Sequence, residues 1–203
     1  MKKYFAALTT TALISAAPFA LAASTTDLTV KGLIIPAACT PALSSSNIDL
    51  GKISSQDLKQ TSNTLIDSRD LALTVNCDAT IKFAVNHIDL QAGTWSGSGF
   101  GLGLDKANNE LGFFRPKIKT IEENTTSYDA IQSTDNGATW TRATSAEPDT
   151  FLSIAASGTT TPIAGKDVIF NFEVDTYIVR ADSLDLTEDT PIDGHMTFDV
   201  KYL

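Results

Sequence analysis

The sequence has few of the side chains that build catalytic or metal sites. Only two cysteines and two histidines occur among its 203 residues. Cys39 and Cys77 are far apart, as are His87 and His195, so these residues lack the spacing of a zinc site. Neither a G-x-S-x-G elbow nor an H-E-x-x-H helix is present. We therefore expect no catalytic residue, no metal and no cofactor, and we do not expect an enzyme.

Basic residues are also scarce. The chain holds 15 lysines and arginines against 24 aspartates and glutamates, which gives a formal net charge of −9. Such a surface lacks the basic stripe that neutralises phosphates. This balance argues against nucleic acid and anionic lipid as partners.

Long apolar runs are absent except at the start of the chain. Lys2 and Lys3 precede a mostly apolar run from Tyr4 to Leu21, and Ala20-Leu21-Ala22 fits the small-residue cleavage rule. We interpret residues 1–22 as a signal peptide that is removed, and residues 23–203 as one exported domain. We expect no membrane span in that mature domain.

Export determines how the two cysteines are interpreted. An oxidising compartment favours a disulfide between Cys39 and Cys77. Closing a loop of that length stabilises a fold by roughly 3 to 4 kcal/mol in the chain-entropy model. The bond would also hold two predicted strands side by side, Val30–Ile34 and Leu71–Cys77.

Helical periodicity is nearly missing, and alternation of apolar and polar residues predicts an all-β fold. Asp167–Val174 alternates most cleanly and predicts a central strand. Asn136-Gly137 predicts a hairpin turn. The other predicted strands are Arg69–Cys77 and Thr80–Ile88, joined as a hairpin at Asp78-Ala79, then Leu111–Ile121, and Met196–Tyr202 at the end of the chain.

The remaining segments predict loops. The glycine-rich stretch 93–103 does not match a phosphate-binding motif, and the acidic stretch 181–189 does not match a calcium loop. Trp95, Trp140 and Tyr128 lie in loop or hairpin contexts. They would either pack in the core or present aromatic faces to a ligand such as a carbohydrate.

Three features together resemble chaperone–usher pilus subunits. The first is the segment Val30-Lys31-Gly32-Leu33-Ile34-Ile35-Pro36-Ala37-Ala38-Cys39, in which Val30, Gly32 and Ile34 form the first-strand motif. The second is Cys77 at the end of an apolar strand. The third is the alternating C-terminal strand with penultimate Tyr202. The layout is similar to a group of poorly characterised fimbrial-like exported proteins of Gram-negative bacteria.

The resemblance implies an incomplete immunoglobulin-like (pilin-type) β-sandwich that lacks its last strand. Its groove would be filled by a periplasmic fimbrial chaperone and then by a neighbouring fimbrial subunit. Met196, Phe198, Val200 and Tyr202 would line or border that groove and contact the chaperone. The protein would be located in the periplasm or in a fimbrium at the cell surface, where host or surface carbohydrate is a further candidate partner.

One departure from the family leaves several interpretations open. Polymerising subunits carry an extra alternating segment to donate, whereas Ala23–Thr29 contains Leu28 as its only large apolar residue. The protein would then be a terminal subunit, a fimbrial-like protein that does not polymerise, or a soluble relative with a complete sandwich. The alternative function is a soluble periplasmic binding module for carbohydrate or peptide.

Overall fold

The computed structural model describes residues 28–32 and 38–203 of the chain. Residues 28–32 form no helix or strand, and the side chains of Leu28 and Val30 are exposed. Residues 38–203 form a β-sandwich, so the predicted all-β class is confirmed. The proposed signal peptide, residues 1–22, lies outside the described residues and stays a prediction.

Ten strands occur in the part of the chain that the structure describes. They are β1 (Cys39–Leu43), β2 (Thr64–Ile81), β3 (Phe83–Asp89), β4 (Phe100–Gly101), β5 (Gly112–Glu123), β6 (Thr126–Ser133), β7 (Thr141–Arg142), β8 (Phe151–Ala155), β9 (Gly165–Ile178) and β10 (Met196–Tyr202). Two single turns of 3-10 helix lie at Ser55–Asp57 and Ala181–Ser183.

The strands pair antiparallel in the order β1-β2-β9-β5-β6-β8-β3-β10, with β4 added to β5 and β7 added to β6. The β5–β6 hairpin joins two layers. The first layer contains β1, β2, β9, β5 and β4, and the second contains β7, β6, β8, β3 and β10. Strands β1 and β10 are therefore the two edges that face each other on the side opposite the hairpin.

One apolar core fills the space between the layers. Strand β2 contributes alternate residues from Leu71 to Cys77, because side chains along a strand point in turn to opposite faces. The central strand β9 contributes a matching row. The most buried members of the core are Leu73, Val75, Phe83, Val85, Ile121, Leu152, Ile154, Val168, Phe170 and Phe172. A smaller cluster, around Leu58, Leu102, Leu111 and Ile178, closes one end.

Several predicted strands are confirmed. Strand β9 lies between β2 and β5, as the alternation of Asp167–Val174 predicts for a central strand. Strands β5 and β10 match the predicted Leu111–Ile121 and Met196–Tyr202 segments. The hairpin around Asn136-Gly137 joins β6 to β7, and both residues have positive φ.

The predicted hairpin of Arg69–Cys77 with Thr80–Ile88 is wrong. Strand β2 runs without interruption from Thr64 to Ile81 and pairs with β1 and β9, whereas β3 pairs with β8 and β10 in the other layer. The chain crosses between the layers at Lys82. Both segments bury one apolar face in the same core, and the alternation is the same whether strands are neighbours in one layer or face each other across the sandwich.

The predicted disulfide is confirmed, but its position differs from the prediction. Cys39 is the first residue of β1, and it pairs directly with Cys77 of β2. The bond therefore joins β2 to the strand that follows Cys39. The predicted strand Val30–Ile34 does not appear in residues 28–32, which include Val30 and Gly32, and Ile34 lies outside the described residues. Alternation alone does not make a strand, because a strand needs a paired neighbour.

Candidate functional site

The free edge of β10 is the candidate site, because its backbone groups lack partners among the described residues. Strand β10 has seven residues and, among residues 28–32 and 38–203, pairs only with β3. The amide of Leu90 donates to the carbonyl of His195 at 2.9 Å, and the amide of Leu203 donates to Lys82 at 3.1 Å. In an antiparallel pair such bonds fall on every second residue. Odd-numbered residues of β10 therefore bond with β3, and even-numbered residues direct N–H and C=O to the free edge.

The same even-numbered residues direct their side chains toward the core. Phe198 and Val200 pack against the main core cluster but remain only partly buried. Asp199 and Lys201, in contrast, form an ion pair with an Nζ–Oδ2 distance of 2.6 Å on the outer face. One set of residues thus combines free backbone groups with inward apolar side chains. An added strand needs this combination.

A cavity opens beside the beginning of β10. It has a volume of about 420 Å³. One side of it is formed by the start of β10, and the other by the end of β1 and the segment that follows β1. Its floor includes Leu71, Val174 and Phe114 from the first layer. Met196 and Phe198 form one wall, and Leu43, Ile48 and Leu50 belong to the other. The sandwich is therefore open on this side at one end.

The other end of this side is closed by one hydrogen bond. The amide of Cys39 donates to the hydroxyl oxygen of Tyr202 at 2.9 Å, although 163 residues separate them in the sequence. We call this hydrogen bond the Tyr202 latch. It connects the first residue of β1 to the last residue of β10.

The free edge of β1 is much less able to pair with another strand. The amide of Asp78 donates to Ala38 and the amide of Ser44 donates to Ala72, so the odd-numbered residues of β1 direct their backbone groups to the free edge. The amide of Cys39 is used by the latch, and Pro41 has no N–H. Of the edge-facing residues of β1, only Leu43 keeps a free N–H within the described structure, so the unpaired donors on this side lie mainly on β10.

The four predicted groove residues divide into two pairs. Met196 and Phe198 line the cavity. Val200 packs against the core, and Tyr202 takes part in the latch, so neither lines the open part. The alternation puts all four on one face of β10, and their role as groove or chaperone contacts stays a prediction. It could not indicate where β1 approaches, because that depends on a segment at the other end of the chain.

His87 is a residue at this site that sequence reasoning missed as a candidate. It lies on the inward face of β3, is fully buried, and pairs with Phe198 across the strands with ring centroids 5.6 Å apart. Its Nδ1 is 3.2 Å from the carbonyl oxygen of Thr150, and its Nε2 has no hydrogen-bond partner in the described structure. Burial lowers the pKa of His87 to about 4, against the raising effects of the Thr150 carbonyl and Glu147. His87 therefore packs as a neutral ring.

Trp95 is half-buried and packs against neighbouring residues. Its indole stacks on Phe113 at a centroid distance of 4.4 Å, and its Nε1 donates to the carbonyl of Ser98. Phe113 in turn stacks on Tyr177. A Cβ built on Gly97 would lie 2.9 Å from the indole, so the Gly97 backbone packs against the ring. These contacts form an aromatic row on the outer face of the first layer.

Trp140 and Tyr128 are also engaged, at other places. The Nε1 of Trp140 donates to Gly137 within the β6–β7 turn, and the hydroxyl of Tyr128 donates to Glu123. In that turn Asp135 accepts hydrogen bonds from the hydroxyls of Thr139 and Ser133, which lower its pKa to about 2. The structure does not bring Trp95, Trp140 and Tyr128 together. Their predicted role as ligand aromatics stays a prediction.

An ion pair on the outer face of the first layer joins neighbouring strands of that layer. Lys117 of β5 pairs with Asp175 of β9, which also accepts bonds from the hydroxyls of Ser68 and Tyr177. Burial by itself raises the pKa of Asp175, but these bonds outweigh it and the pKa is lowered. The Asp175 carboxylate thus accepts hydrogen bonds from Lys117, Ser68 and Tyr177. The cluster is a structural cross-link between β2, β9 and β5.

The described residues contain neither a metal-binding cluster nor a membrane-spanning helix. In residues 28–32 and 38–203, histidine, cysteine, aspartate and glutamate side chains nowhere gather in a group of three suited to a metal ion. Within the same ranges, no helix has the length and apolar character needed to cross a membrane.

The fold and the site define a class: an all-β sandwich with one disulfide and, within the described residues, an edge strand, β10, whose outer backbone groups lack partners beside a cavity. Residues 28–100 are similar to a protein family described as a protein of unknown function (DUF1120). The matched range includes β1, β2, β3 and both cysteines, and it ends before β5. No curated protein matches the chain.

Proposed function

We propose that this protein is an exported fimbrial-type structural subunit, or an adhesin-like relative, that assembles by β-strand complementation. The observation that carries the proposal is the free edge of β10 beside the cavity. Its even-numbered residues direct backbone groups outward and side chains inward, with no partner among the described residues. The partner would be an extended segment of another protein.

Strand addition explains both the unpaired backbone groups of β10 and the apolar cavity beside them. Unpaired N–H and C=O groups on an edge strand readily pair with another chain. An added strand would satisfy the backbone groups of Met196 and Phe198, and its alternate apolar side chains would enter the cavity. The floor of that cavity includes Leu71, Val174 and Phe114, which would lose their remaining contact with water.

The proposal includes partners and location. A periplasmic fimbrial chaperone would supply the first strand and a neighbouring fimbrial subunit would replace it, so that the protein is exported to the periplasm and the cell surface. Two observations agree with that setting: the disulfide suits an oxidising compartment, and the net charge of −9 disfavours nucleic acid.

The test is to produce the full chain in the bacterial periplasm, alone and with a fimbrial chaperone, and to compare yield and mass. We expect a low yield of marginally stable monomer from the chain alone and a much higher yield of a soluble one-to-one complex with the chaperone. Residue-resolved amide exchange on the complex then locates the added strand. The amides of Phe198 and Val200 should be protected in the complex.

The odd-numbered residues provide an internal control in the same strand. The amides of Thr197 and Asp199 already bond with β3 and should be protected with or without a partner. Phe198→Pro removes an edge N–H and also the phenyl ring that packs on the core, so the matched variant is Phe198→Ala, which removes the ring and keeps the N–H. Phe198→Pro should weaken the complex more than Phe198→Ala does.

A monomer whose yield the chaperone does not raise, and that forms no complex with the chaperone, would overturn strand complementation. It would favour the alternative, a soluble periplasmic binding module for carbohydrate or peptide that does not polymerise. In that case the aromatic row around Trp95 becomes the first place to test, by binding measurements with Trp95→Ala.

A further inference from the structure

We infer that the Tyr202 latch sets the length of the partner strand: it admits a strand beside Met196 and Phe198 and stops it before Tyr202. This inference rests on the proposed function and concerns the same edge. It assigns Tyr202 a role in specificity, which differs from the role of a groove-lining contact.

The first argument is the space between the two edges. An added strand beside β10 has to lie between β10 and β1. Neighbouring strands are about 4.8 Å apart, so a strand inserted between two others needs about 10 Å between them. Cα atoms of β1 and β10 approach within 8 Å of each other. No further strand fits where they do so.

The second argument is the position of the latch relative to the cavity. The latch joins Cys39 to Tyr202, at the end of β10. The cavity of about 420 Å³ lies at the other end, beside Met196 and Phe198. The gap between the two edges therefore narrows along β10, from an open end to a closed one.

The third argument is that β1 cannot easily move away. Cys39 carries the latch on its amide and the disulfide on its side chain, and it pairs with Cys77 in the β1–β2 ladder. The fixed side of the latch is therefore anchored covalently to β2. Only the Tyr202 side can give way, by losing the hydroxyl bond.

The test uses two synthetic peptides that share one alternating apolar and polar sequence, a short one of about five residues and a long one of about nine. Their affinities for the full disulfide-bonded chain are measured by isothermal titration calorimetry. We expect the long peptide to bind the natural chain within twofold of the short one. With Tyr202→Phe, which removes only the hydroxyl, we expect the long peptide to bind about tenfold more tightly than the short one.

Tyr128→Phe is the matched control. It removes a hydroxyl that bonds with Glu123 and takes no part in the latch, so both affinities should stay at their natural values. Amide exchange of the natural chain gives a readout that needs no variant. With the long peptide bound, the amide of Phe198 should become protected and that of Tyr202 should not.

The outcomes separate the two proposals. If the long peptide binds the natural chain about tenfold more tightly than the short one, and Tyr202→Phe adds nothing, the latch is overturned and strand complementation stands. If Tyr202 becomes protected together with Phe198, the latch is likewise overturned. Binding of neither peptide to any variant overturns the proposed function, and the latch with it.

Discussion

The imidazole of His87 places a proton-binding group in the middle of an apolar core. Burial lowers its pKa to about 4 in the folded chain, whereas an unfolded histidine titrates near 6.5. Between these two values the unfolded state binds more protons than the folded state. The free energy of unfolding should therefore fall as the pH is lowered from about 6.5 to 4, by up to about 3 kcal/mol. Urea unfolding at a series of pH values measures this directly.

The variant His87→Phe tests whether His87 causes that loss. A phenyl ring keeps the edge contact with Phe198 and removes the Nε2 atom, which has no hydrogen-bond partner in the described part of the chain. We expect the variant to lose most of the pH dependence between 6.5 and 4. His195→Gln is the control, because His195 is exposed and should leave the profile unchanged. A slope that persists in His87→Phe would contradict the assignment.

At the scale of the elements, the junction between β5 and β9 depends on Gly112. This residue has φ of 152°, and a Cβ built on it would lie 2.0 Å from the backbone oxygen of Tyr177. Gly112→Ala should therefore separate the start of β5 from β9 and lower the free energy of unfolding by about 3 kcal/mol or more. Gly158→Ala is the matched control, because Gly158 also has positive φ but has no atom within 4 Å of the added Cβ.

The comparison of the two glycine variants separates backbone strain from collision. Gly158→Ala should cost about 1 kcal/mol, the usual cost of a positive φ in a residue with a side chain. Thermal or urea unfolding of both variants gives the difference. Equal losses of unfolding free energy in the two variants would mean that β5 and β9 can move apart without loss of stability. That result would contradict the importance of the close approach at Tyr177.

The sequence allowed the positions of the strands to be predicted better than which strands pair with each other. Alternation predicted β9 and β10 because each has one face in the core and one in solvent. It could not show that β2 and β3 lie in different layers, since both bury one face in the same core. The prediction of a strand around Val30 relied on alternation without evidence of a paired neighbour, and residues 28–32 form no strand.

The candidate site was partly predictable, because alternation also shows which residues of a strand share one face. The alternation in β10 showed which side chains point inward, and this placed Met196 and Phe198 at the cavity. The latch depends on two residues 163 positions apart, and no local pattern encodes such a contact. His87 follows the same alternation as Phe83 and Val85. An inward histidine can only be recognised as buried once the opposite layer is known.

For the whole molecule, the two sides of the sandwich are joined very differently. On one side the β5–β6 hairpin continues the ladder from the first layer to the second. On the other side β1 and β10 are joined at one end by the latch and leave the cavity at the other. Added binding energy on that open side would stabilise the whole fold by mass action. A chain that needs a partner for full stability is consistent with the proposed function.

The disulfide should therefore contribute much of the stability of the free chain. Without it, β1 would be held only by its ladder with β2 and by the latch, and the loop between Cys39 and Cys77 would be unrestrained in the unfolded state. We expect the double variant Cys39→Ala, Cys77→Ala to lose roughly 3 to 4 kcal/mol of unfolding free energy. Urea unfolding of the natural chain under reducing conditions should give a similar loss, and reduction should leave the double variant unchanged. A loss below about 1 kcal/mol would mean that the ladder and the latch hold β1 without the covalent bond. Adding Tyr202→Phe to the double variant would then measure how much unfolding free energy the latch contributes.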